Sequence, residues 1–206
     1  SSQNLGKFLM ENKKFLPYYY QSLLRENFHF TLAQPMLSSL MLLSFMQTIH
    51  LFHEKEVENL FLASYLKDIG LSMIPEDRLD IKNLDARDKN LFASHSDFSF
   101  DLLEGRIPLS KNYLTIVRHH HFLNDKLKDL AGAERTEEKK DQDVVLGIES
   151  TLVGVFDIIV AMTTPRPYRK ALTLFQALEI IKKMIADDYP QEFRALVVFL
   201  KQFYKI

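Results

Sequence analysis

Residues 55–70 read KEVENLFLASYLKDIG. Val57, Leu60, Phe61 and Ser64 recur at three- and four-residue intervals, which places their side chains on one face of an α-helix, and the stripe runs on to Asp68. A carboxylate therefore closes a face that has to be buried. The rest of the chain repeats helical periodicity, and no run of alternating β-branched residues competes with it. The pattern predicts about eight helices, near residues 5–14, 17–26, 33–52, 55–69, 87–104, 110–122, 145–163 and 171–203, the last split near Pro190. The expected fold class is all-α, with N-terminal helices in 1–32 leading into a domain that spans 33–206.

Composition agrees. Hydrophobic residues make up 47% of the 206 and only 6 are Gly, so one sizeable core and few turns are expected. Basic and acidic residues number 26 and 27, leaving a net charge of -1 and no global field to draw the chain onto nucleic acid or anionic lipid. No nucleic-acid partner is expected. The absence of Cys excludes disulfides, thiolate metal sites and a Cys nucleophile, fits a cytoplasmic protein, and leaves metal chemistry to His, Asp and Glu. The longest apolar-looking stretch, Met36 to Leu51, is interrupted by Ser38, Ser39, Ser44, Gln47 and Thr48. It falls short of the ~20 residues of a membrane span, so a buried helix and no membrane insertion are expected. The N-terminus lacks the basic start and apolar run of a secretory signal. Asn124 to Asp143 carries seven acidic and five basic residues and reads as a solvated loop or exposed helix.

The informative residues are ionisable groups on apolar stripes. Leu91, His95, Phe98 and Leu102 share one helical face, as do Leu109, Tyr113, Ile116 and His120. Leu146, Ser150, Val153 and Asp157 line up on a third. A single buried Asp or His is ordinarily a cap or a hydrogen-bonded core group. Burying uncompensated carboxylates costs on the order of several kcal/mol each, so Asp68, His95, His120 and Asp157 together point to a compensating divalent ion with N and O ligands. His119, His120 and His121 are contiguous, and helical geometry spreads them over about 200°, so at most two can face one site.

These residues carry a family resemblance. Leu62 to Gly70 followed by Ile74-Pro75 resembles the signature of the HD-GYP branch of HD-type metal phosphohydrolases, in which an apolar stretch leads into His-Asp-Ile-Gly-Lys and then Ile-Pro. Here Lys67 replaces the signature His and Leu71 the signature Lys. His95 resembles the family's lone histidine and His119-His120 its His-His pair, with His120-His121 an alternative register. Val155-Phe156-Asp157 leads into Ala161-Met162-Thr163, and Arg166-Pro167-Tyr168-Arg169 resembles the closing segment. The resemblance covers about Met36 to Met184 and implies an HD-domain-like helical bundle.

It also implies a ligand set. Carried over, the second of the family's two metal sites is complete as Asp68, His95, His119 and His120. The first keeps Asp68 and Asp157 but meets Lys67 and, upstream, Pro35 or Met36, neither of which suits a hard cation. The expected cofactor is therefore one divalent ion of the Fe, Mn or Zn kind, or none. Lys67 either neutralises Asp68 and Asp157 or reaches out to solvent. Two-metal hydrolysis needs both ions, Leu71 removes a phosphate-facing cation, and Phe122 to Leu127 stands where Gly-Tyr-Pro should occur. No catalytic residue is assigned with Lys67 and Leu71 in those places. Arg166, Tyr168 and Arg169 are candidates for binding the phosphate or guanine of cyclic di-GMP. The function expected is that of a degenerate HD-GYP-like module in bacterial signalling, regulatory, sensing cyclic dinucleotide or binding a protein partner. The alternative is an active metal-dependent cyclic di-GMP phosphodiesterase with a reduced site.

Overall fold

A computed structural model describes residues 2–26, 28–79, 85–130, 147–165 and 170–205, and among them every regular element is helical. In chain order these are α1 (Ser2–Glu11), α2 (Leu16–Arg25), α3 (Phe30–Ile49), α4 (Glu54–Leu66), α5 (Glu76–Leu79), α6 (Ala86–Ala93) and α7 (His95–Leu103). They continue with α8 (Lys111–Arg118), α9 (Leu123–Leu130), α10 (Ile148–Thr163), α11 (Leu174–Ile185) and α12 (Pro190–Phe203). Short 3-10 turns cover Lys13–Phe15 and Ile69–Met73.

Two helices form the centre. In α3 every residue from Leu37 to Met46 is buried, and in α10 so is every residue from Ser150 to Val160. Burial on all sides brings polar side chains inside, and α3 satisfies them locally. Ser38 Oγ donates to Pro35 O at 3.3 Å, Ser39 Oγ to Met36 O at 3.0 Å and Ser44 Oγ to Leu40 O at 2.9 Å. Around them, α2, α4, α11 and α12 close the main core, in which Phe45, Phe156 and Phe199 meet at ring separations of 5.3, 5.4 and 6.2 Å. The Tyr20 hydroxyl of α2, a fully buried residue, is 3.2 Å from the hydroxyl of Tyr204 at the C-terminal end of α12, so these two ends of the chain share the core. A second, smaller cluster joins Leu62, Ala63, Leu103, Leu109, Leu114 and Val117 between α4, α7 and α8.

Several expectations change in detail. The helix expected over 33–52 runs Phe30–Ile49, longer than the apolar stretch from Met36, and among the described residues it is the one helix long and apolar enough to cross a membrane by length and composition. Its burial against neighbouring helices is that of a core helix. The helix expected over 87–104 is broken at Ser94. There the His95 ring takes Phe92 O, a carbonyl that a continuous helix would use, while Asn90 O accepts both the Ser94 N–H at 3.1 Å and the Ser94 hydroxyl at 2.9 Å. The buried stripe of α7 is accordingly His95, Ser99 and Leu103, not His95, Phe98 and Leu102. Likewise α4 stops at Leu66 and α8 at Arg118, short of the expected 69 and 122. Part of the charged segment forms α9, tied down by Lys126 Nζ to Asp188 at 2.8 Å, while residues 131–143 lie outside the described ones.

Candidate metal centre

The helix ends just described all point at one place. Asp68 follows the end of α4, on the turn that enters the 3-10 segment. His95 opens α7. His120 and His121 lie on the turn that leaves α8. One oxygen or ring nitrogen from each of Asp68, His95, His120 and His121 gathers so that all four lie within 4.8 Å of one another.

Each residue is held there by an identifiable contact. Gly70 N–H donates to Ser99 Oγ at 2.8 Å, and Ser99 Oγ donates to His95 O at 2.9 Å, fastening the Asp68 turn along α7. A Cβ on Gly70 would lie 2.1 Å from His95 O, so only glycine permits this approach. His120 Nδ1 donates to Val117 O at 2.7 Å, capping a carbonyl that the end of α8 leaves free. His95 Nδ1 donates in the same way to Phe92 O. Both bonds leave the Nε2 lone pair facing inward, the arrangement that orients metal-binding imidazoles. The Asn124 side-chain amide lies 2.8 Å from His121 Nδ1 and orients the third ring.

Inside, Asp68 Oδ1 is 3.1 Å from His120 Nε2 and 3.3 Å from His95 Nε2. His95 Nε2 is 3.4 Å from His120 Nε2 and 3.1 Å from His121 Nε2. Lone pairs this close repel unless a proton or a cation sits among them. Ligand atoms about 2.0–2.1 Å from a tetrahedral ion stand roughly 3.3–3.4 Å apart, which the four separations approach. The residues therefore fit a divalent ion bound by three imidazoles and one carboxylate, a mixture suited to Zn, Fe or Mn.

Beside this group lies a second one. Lys67 is fully buried, and its ammonium bonds Asp68 Oδ2 and, at 2.7 Å, Asp157 Oδ1. The solvent-reaching alternative for Lys67 is thus excluded. Gln34 Nε2 donates to the same Asp157 oxygen at 2.8 Å. A second divalent ion does not fit here, because the carboxylate oxygens it would need already bind an ammonium.

The electrostatics follow from these contacts. Burial would lower the Lys67 pKa, but Asp157 and Asp68 outweigh it and hold it above the ordinary lysine value. Burial would raise Asp68, yet Lys67 and the bonds from His120 and His95 hold it well below the usual carboxylate range. Burial would also lower His95, but its bond to Asp68 raises it. His121 is pushed well down by burial and by the neighbouring rings. Of these two rings, His95 therefore holds a proton more readily than His121.

Of the residues singled out by sequence, Asp68, His95 and His120 meet in the cluster, and Asp157 joins it through Lys67. His119 is not among the four. The helix ends at Arg118, and the turn after it brings in His120 and His121, the second of the two registers. Leu71 lies half-buried in the 3-10 segment. Arg166, Tyr168 and Arg169 lie outside the described residues. Gln34 carried no sequence signal beyond being polar next to Pro35, and Asn124 only its place three residues after His121.

A family profile described as HD domain matches residues 22–192. No curated protein matches the chain. The match takes in α3, α4, α7, α8 and α10, and with them every residue of the centre, so the chain belongs to the HD-domain family.

Proposed function

We propose that this HD domain is a degenerate member of the HD-GYP kind, a cytoplasmic regulatory module of bacterial signalling that senses a cyclic dinucleotide or binds a protein partner without hydrolysing phosphodiesters. One observation carries the reading: the Lys67 ammonium holds the oxygens of Asp68 and Asp157 that a two-metal hydrolase would give to an ion. An ion held by Asp68, His95, His120 and His121 would supply a Lewis acid. Asp68 and the three imidazoles would then fix its position, and their buried setting would limit water around it. Leu71 offers no charge to a phosphate, and Arg166, Tyr168 and Arg169 are the candidates for holding a cyclic dinucleotide.

The intact group of three His and one Asp favours a second reading, a phosphodiesterase working with one ion. Incubation with cyclic di-GMP and added Fe2+ or Mn2+ distinguishes them. The first reading expects no linear dinucleotide above background, with cyclic di-GMP binding measurable by calorimetry where the module senses the dinucleotide and none where it binds a protein partner. Metal-dependent turnover that disappears in Asp68→Ala would establish the second.

A further inference from the structure

Lys67 sits at the end of α4, and a lysine in that place would ordinarily extend its long side chain to solvent. Here its exposure is 0% and the ammonium lies between the carboxylate of the next residue, Asp68, and that of Asp157 on α10. Asp68 divides its oxygens, Oδ1 facing the imidazoles and Oδ2 the ammonium. Asp157 gives Oδ1 to both Lys67 and Gln34. We propose that Lys67 is a resident cation of this centre, standing where a second divalent ion would bind, so that the folded chain admits no more than one such ion and keeps its fold with none.

Charge counting supports this. Lys67 offsets one of the two carboxylates Asp68 and Asp157, so the metal-free centre keeps one net negative charge instead of two. One divalent ion leaves it one unit positive. A second would make it three units positive and bring that ion against a buried ammonium, where the repulsion is poorly screened. The proposal rests on the preceding reading only in taking the imidazole side as the place for the one ion.

The test uses the full chain, stripped with chelator. Equilibrium dialysis against Mn2+ with elemental analysis should find one ion per chain, and two would overturn the proposal. None, together with the stability result below, would sink the metal reading and leave the role of Lys67 standing. Chelator should leave the wild-type melting temperature almost unchanged, whereas Lys67→Met in chelator should melt about 10 °C lower or more, since it strands Asp157. Lys67→Met/Asp157→Asn should recover at least half of that loss, which also decides the matter if the single variant does not fold. A single variant as stable as wild type, or a double variant no better than the single, would show that Lys67 is not acting as a cation.

Discussion

His119, His120 and His121 are neighbours in sequence but not in what their rings reach, and metal affinity should separate them. His121→Ala removes a nitrogen from the group of four, and should weaken Mn2+ or Zn2+ binding by about 100-fold or more, the upper end of what loss of a merely orienting partner causes. His119→Ala should change affinity less than about threefold, a shift on the order of 0.6 kcal/mol. Competition with a chromophoric chelator measures both, and equal losses would return the centre to the other register. The sequence made Asp68, His95, His120 and Asp157 legible because each is ionisable on a face otherwise apolar. It left the histidine pair open because the rule that adjacent residues point about 100° apart holds only inside a helix, and the triplet starts where α8 stops. Gln34 was illegible for a different reason. It is neutral, and only the fold reveals that it faces a residue 123 positions away.

At the scale of elements, the centre is made by the places where helices stop. Periodicity announces a helix's faces but says little about its ends, so it carries α4 and α8 past where they stop and gives no sign of the break at Ser94. Side chains take the free carbonyls at those ends, His120 on Val117 O and His95 on Phe92 O. The close approach of the Ile69–Met73 turn to α7 should accordingly tolerate no side chain at position 70. Gly70→Ala forces a Cβ against His95 O and the Ser99 backbone. Overpacking of this kind costs about 1–3 kcal/mol, and more where backbone must move. Urea unfolding should show that loss, and Mn2+ affinity should fall with it because Asp68 and His95 lie on the two sides of the contact. Unchanged stability would mean that the turn and helix are not in fact fastened together.

For the whole molecule, the all-helical class was legible from residues 55–70 outward, and burial of α3 and α10 on all sides accounts for it. The buried ion pair gives the fold a characteristic response to pH. Asp68 titrates in the folded state well below the ~3.9 of an unfolded Asp, so its contribution is in place above about pH 4 and is lost as pH falls through the folded value. Lys67 titrates above its ordinary value, so its contribution holds below about pH 10.4 and is lost as pH rises through the folded value. In chelator, Asp68→Asn should be less stable than wild type at pH 7 by ~1.5–3 kcal/mol, the scale of hydrogen bonds to a charged group, with the gap closing below about pH 4. Denaturant titrations followed by circular dichroism test this, and a gap that persists unchanged at pH 2 would place the stabilisation elsewhere.

The separation of Lys67 from Asp157 along the chain also bears on how the molecule comes to exist. On the ribosome, Lys67, Asp68 and then His95 emerge first, while Asp157 follows Lys67 by 90 residues, on the order of 5 to 20 s at ordinary synthesis rates. During that interval α4 has neither α10 to cover it nor a second carboxylate for its lysine, and Tyr20 waits still longer for Tyr204, 184 positions away. Contacts that close such long loops are favoured only after local helices have formed. The charged centre therefore cannot leave water before α10 has been made, and its ammonium and carboxylates stay hydrated until then.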